Sequence, residues 1–206
     1  MIVASPMSAS AATITLAAVN GNLYQQTVQN PCIFANNSCQ QPNGFASTDV
    51  PQQGNPSSWD ILSPVYTGAQ LNSFLNGGSL FLGLDINQAT GQGAQTLTSF
   101  SMLKNNVTVD LFTGSAGNVG ATNNGNGYAD YLLGGFSSFV AGDSIQFRFV
   151  FNGANDGPEN VFLIAGPPNC PDCTPTPNST VPEPASMVLL GTGLLAAVRA
   201  RRKKTS

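Results

Sequence analysis

No histidine occurs in the 206 residues, which removes every Ser-His-Asp triad, Cys-His pair and imidazole metal site, and with them the commonest general base. Basic residues are nearly as scarce. Lys104 and Arg148 are the only two ahead of residue 199, against nine acidic residues up to Asp172, so this part carries about −7 while the whole chain carries −3. Such a surface speaks against nucleic acid as a partner. Charged side chains make up only 8% of the chain, yet 41% of residues are hydrophobic, too many for a segment that stays unfolded for want of apolar surface. No internal repeat points to a solenoid or propeller.

The apolar residues are spaced for strands. Ser144 to Phe151 reads SIQFRFVF, which sets Ile145, Phe147, Phe149 and Phe151 on one face and Gln146 and Arg148 on the other. Residues 106–113 place Val107, Val109 and Leu111 opposite Thr108 and Asp110. Residues 79–87 place Leu80, Leu82, Leu84 and Ile86 opposite Phe81 and Asp85. Further strands are predicted at 13–19, 23–28, 59–66, 96–103, 128–133 and 160–165, separated by Gly, Pro, Asn and Asp turn signals, with one short helix over 68–76. Eight or nine short strands with little helix predict an all-β fold, an antiparallel β-sandwich of jelly-roll or Greek-key type. Residues 36–57 and 114–127, rich in Gln, Asn, Pro and Gly, read as long loops.

Four cysteines form two close pairs, Cys32 with Cys39 and Cys170 with Cys173. In an oxidising compartment two local disulfides are the preferred reading of the three connectivities. Zinc is disfavoured because the pairs lie far apart and no histidine can complete a site. Cys170-Pro171-Asp172-Cys173 has the outline of a redox motif, but Thr174-Pro175-Thr176-Pro177 forbids the helix that would lower a thiol pKa.

Without histidine, catalysis would fall to carboxylates. A carbohydrate-active hydrolase needs two of them, to be drawn from Asp49, Asp60, Asp85, Asp110, Asp130, Asp143, Asp156 and Glu159. A calcium-dependent adhesin or carbohydrate-binding module is a further alternative. Asp85, Asn87, Asp130 and Asp156 supply hard oxygen ligands, without the spacing of an EF-hand loop. Trp59, Tyr66, Tyr128 and Tyr131 are the aromatic candidates for stacking on sugars. Turn formation and core packing account for the same residues. The reading adopted is therefore non-catalytic, with no obligatory cofactor.

The two ends carry targeting signals. Residues 1–12 read as a truncated or residual signal peptide, with Ala9-Ser10-Ala11 as a small-residue cleavage site. At the other end stand Val181-Pro182-Glu183-Pro184, an uncharged apolar run over 185–198, and a basic cluster of Arg199, Arg201, Arg202, Lys203 and Lys204. The prolines fix φ and bias their preceding residues to extended geometry, giving a stiff segment that a protease cleft can read. At 1.5 Å per residue the run spans roughly 21 Å as a helix, short of the ~30 Å hydrocarbon core. Snorkelling cations and local bilayer thinning close the gap. The cations hold that end in the cytoplasm, leaving the body outside.

In this order the three segments closely resemble the PEP-CTERM sorting signal of exported bacterial proteins. That resemblance implies an exosortase, a membrane-embedded peptidase, as the processing partner at Pro182, Glu183 and Pro184. It also implies transient anchoring in the inner membrane, release to the cell surface or beyond, and extracellular polysaccharide as a plausible neighbour. The expected organisation is thus signal peptide 1–12, β-sandwich 13–168, Pro- and Cys-rich linker 169–180, and sorting signal 181–206 with a short transmembrane helix at 185–198.

Overall fold

The computed structural model describes residues 11–19, 22–35, 39, 41–42, 44–51, 57–87, 95–112, 118–120, 127–154 and 159–168. The chain divides into two units, Met1–Thr174 and Pro175–Ser206, and the second lies wholly outside the described residues. So do the linker, the Cys170–Cys173 pair, the sorting signal with its predicted helix, and nearly all of the predicted signal peptide.

The first unit is mostly β. In chain order its elements are β1 (Ala12–Thr13), β2 (Thr15–Ala18), β3 (Cys32–Ala35), β4 (Thr48–Asp49), β5 (Ser57–Leu62), β6 (Tyr66–Thr67), α1 (Gly68–Leu75), β7 (Gly78–Asp85), β8 (Gln95–Lys104), β9 (Val107–Phe112), β10 (Asn118–Val119), β11 (Tyr131–Gly134), β12 (Ser144–Ala154) and β13 (Asn160–Pro168). One sheet runs β1-β9-β8-β12-β5, with β10 on β8 and β6 on β12; the other runs β2-β11-β7-β13-β3-β4. Pairing is antiparallel except at β1–β9 and β3–β4, which are parallel. The expected wholly antiparallel pairing is corrected at these two short contacts. The first arises because the N-terminal segment serves both sheets, its β1 half beside β9 and its β2 half beside β11.

The two sheets share one apolar core. Phe34 of the second sheet meets Phe100 and Phe149 of the first at ring-centroid distances of 6.3 and 5.4 Å. β12 fulfils its sequence pattern: Ile145, Phe147, Phe149 and Phe151 are fully buried while Arg148 is exposed. The helix also forms where predicted. Thr67 caps it by accepting from the Gln70 amide at 3.1 Å, Asn76 ends it in the left-handed region at φ 45°, and Leu71 and Leu75, one turn apart, face the core. Gly68 is required there, since a Cβ would sit 1.9 Å from the Val140 carbonyl oxygen.

Elsewhere the pattern misleads. β9 presents Asp110 and Phe112 inward and leaves Val107 63% exposed, the reverse of the expected face. The cause is a partner: Asp110 accepts from the Ser137 amide at 2.8 Å and from its hydroxyl, so the carboxylate is satisfied inside. β7 was expected to bury one face and buries both. Its outer residue Phe81 joins a second cluster with Val19, Cys32, Ala35, Ala129, Leu132, Phe162 and Ile164, against which Tyr24 and Cys39 pack. The bond between Cys32 and Cys39 holds part of that cover in place. Residues 23–28 make only isolated bridges at Gln25 and Thr27 rather than a strand. The loops read at 36–57 and 114–127 contain the two-residue strands β4 and β10.

Candidate functional site

Polar side chains gather where β7, β11 and β13 end, on the outer face of the second sheet. Register sets Asn160 of β13 opposite Asp85 of β7. On the other flank Tyr131 lies opposite Leu84, so the next residue, Asp130, falls opposite Asp85, and its amide donates to the Leu84 carbonyl at 2.8 Å. Side chains directly opposite one another in a sheet have Cβ atoms about 5 Å apart. The three therefore form a row, Asp130, Asp85, Asn160, across the strand ends. All three are buried, Asp85 at 1% exposure and Asn160 at 9%.

The members of the row are not equally satisfied. Asp130 Oδ2 accepts from the Ile86 amide at 2.7 Å. Both oxygens of Asp85 and the Oδ1 of Asn160 have no hydrogen-bond partner. Burial, and next the charge of Asp130, push the Asp85 carboxyl up to about 7, although the neighbouring Asn160 side chain and Gly127 backbone offset part of the rise.

A second polar pair lies close by. Glu159 accepts from the Asn87 amide through Oε2, while its Oε1 and both polar atoms of the Gln95 side chain lack partners. Burial raises the Glu159 carboxyl to about 8, against the opposing influence of the Asn87 amide and Gln95. Among the described residues no three His, Cys, Asp or Glu side chains are arranged to hold a metal ion. Asp130 and Glu159 each turn one oxygen to a backbone amide.

Of the four calcium candidates named from sequence, Asp85 and Asp130 come together, and Asn87 offers its backbone amide to Glu159. Asp156 lies outside the described residues. Sequence reasoning missed Gln95 and Asn160, and it named Glu159 only as one of eight candidate carboxylates for a hydrolase. The available signal was alternation: Asn160 shares the face of Phe162 and Ile164, both of which belong to the outer cluster.

The remaining carboxylates are dispersed. Asp60 pairs with Arg148 at 2.5 Å, both side chains about half exposed. Asp143 accepts from the Val140 amide at 2.9 Å and from Asn105 at 2.9 Å. Asp49 sits exposed in β4. The aromatic candidates divide as well. Trp59 is buried and stacks on Phe151 at 5.7 Å, and Tyr66 is buried with its hydroxyl donating to the Ala46 carbonyl. Tyr128 and Tyr131 are half-buried. The clefts flanking α1, of about 400 and 630 Å³, are lined by residues such as Asn72, Phe136, Gln70 and Phe74 and by no ionisable side chain.

Among the described residues no helix is long and apolar enough to cross a membrane; the predicted span at 185–198 lies outside them. No curated protein and no solved structure matches the chain. The family model for the PEP-CTERM protein-sorting motif matches residues 180–203, and no family model matches the rest. The tail of this chain is a PEP-CTERM sorting motif, which supports an exported protein sorted by an exosortase.

Proposed function

We propose that this is a cell-surface or extracellular-matrix protein: a non-catalytic β-sandwich delivered by its tail. The sorting motif at 180–203 is the observation that carries the reading. The apolar run at 185–198 holds the chain transiently in the inner membrane, Arg199 to Lys204 stay on the cytoplasmic side, and an exosortase acts at Pro182-Glu183-Pro184. The body then remains outside, where extracellular polysaccharide is the neighbour it meets.

Several features support a sandwich without catalysis. The sheets share one core, and strands alternate between them in a jelly-roll manner, β7 to β8 and β11 to β12 to β13 each changing sheet. A hydrolase using two carboxylates needs them facing each other across an open cleft. Here Asp85, Asp110, Asp130 and Glu159 are buried, and Asp60 and Asp143 are engaged in surface contacts. The Cys32–Cys39 bond suits an oxidising, extracytoplasmic setting.

The test is the intact mass of the protein recovered from the envelope and medium of its native host, beside that of Glu183→Ala. Sorting by cleavage predicts a mature chain ending near residues 182–184 and a variant that keeps its tail in the membrane. An uncut tail on both would leave only an anchor and overturn the exosortase step.

A further inference from the structure

We propose that the row Asp130, Asp85, Asn160 at the end of the second sheet binds a calcium ion, with the Asp85 carboxylate as its principal ligand and Asp130 and the Asn160 Oδ1 flanking it. The argument begins with an imbalance. A buried carboxylate is tolerated when hydrogen bonds or a counter-charge answer it, and Asp110 on the opposite sheet shows how this chain does so, with two bonds from Ser137. Asp85 is equally buried and has no close bond of this kind, only the neighbouring Asn160 side chain and Gly127 backbone to offset its burial in part. Its two oxygens are unpartnered, the residue across one flank is another carboxylate, and the residue across the other presents an unpartnered amide oxygen. Nor is a basic side chain at hand: among the described residues the cations are Lys104 and Arg148, the first reaching the Ser138 carbonyl and the second paired with Asp60.

The donor chemistry selects the ion. Every candidate ligand is a hard oxygen, from carboxylates and a side-chain amide, and the chain has no histidine to attract a softer metal. Calcium accepts irregular sets of six to eight oxygens, including backbone carbonyls and water, whereas magnesium demands a near-ideal octahedron. The site would fasten three strand ends together under the cover that Val19, Tyr24 and the disulfide provide.

The test uses the full chain, stripped with a chelator and then titrated with calcium chloride alone at pH 8. Melting and calorimetric titration are followed for the wild type, Asp85→Asn and Asn160→Ala. Calcium at a hundredfold excess over its Kd should raise the wild-type melting temperature by about 5–10 °C. Asp85→Asn should abolish both the heat of binding and the shift, and Asn160→Ala should weaken binding at least about tenfold, since one oxygen ligand is lost. Should Asp85→Asn not fold, Asn160→Ala carries the comparison. No heat and no shift in the wild type up to millimolar calcium would overturn the proposal. An equal response in the wild type and the variants would place binding elsewhere and overturn it too.

Discussion

In the tail, the residues that act together are neighbours in sequence: a Pro-Glu-Pro segment, an apolar run and a cluster of cations follow one another within residues 180–204. In the body, the polar residues that meet come from far apart. Asp85 faces Asn160 across 75 positions, and Asp110 is satisfied by Ser137 across 27. A recognition signal read in extended form by a protease needs only local chemistry. A buried polar row needs strand registers that the whole fold sets. The tail should therefore tolerate changes in the body, whose properties are set by the strand registers within its own two sheets.

Perturbations of decreasing size sharpen this contrast. The largest effect should come from Phe149→Ala, which empties the centre of the shared core where Phe34, Phe100 and Phe151 meet. A loss of about 3–5 kcal/mol is expected in denaturant unfolding. Full-length chain that still folds should be processed at the tail as before. Body variants that fold normally yet block processing would break the separation.

Next comes Asp110→Ala, which leaves the partly buried Ser137 amide without its acceptor at a cost of about 1–3 kcal/mol. With calcium chelated, Asp85→Asn should cost less than Asp110→Ala, because no close hydrogen bond to Asp85 is lost. Equal losses in paired unfolding curves would show that the two buried aspartates are held alike.

A pH series on the metal-free protein gives a third contrast. Asp85 and Glu159 titrate at about 7 and about 8 in the fold, above their ordinary values of 3.8 and 4.5. Between these limits the folded chain binds more protons than the unfolded one, so stability should fall as pH rises from about 4 to about 8. A melting temperature that climbs through this window would contradict the assignment. Arg148, by its hydrogen bond, holds Asp60 below its ordinary 3.8, and the sign reverses. That contribution is present above pH 3.8 and lost in more acid solution. With both side chains about half exposed, Asp60→Asn should change stability by only about 0–1 kcal/mol, and less at high salt.

The sequence made some of this visible for identifiable reasons. β12 was legible because four inward residues, Ile145 to Phe151, alternate without interruption, and α1 because Thr67 and Asn76 bracket Leu71 and Leu75. The tail was legible because its signal is linear. β9 was read inside out, since Val107 and Val109 outweighed an Asp110 whose partner cannot be seen locally. β3 escaped altogether: Cys32-Ile33-Phe34-Ala35 is buried on both faces and shows no alternation. The polar row was half legible, through Asp85 and Asp130, and its third member required the register between β7 and β13.

The separation of address from body is tested most directly by transplanting residues 169–206 behind an unrelated exported domain and following its intact mass in the envelope and medium of the native host. A passenger shortened at Pro182-Glu183-Pro184 and released, as proposed for the natural chain, would be the predicted result. A passenger left uncut in the membrane while the natural chain is processed would show that the body takes part in its own sorting.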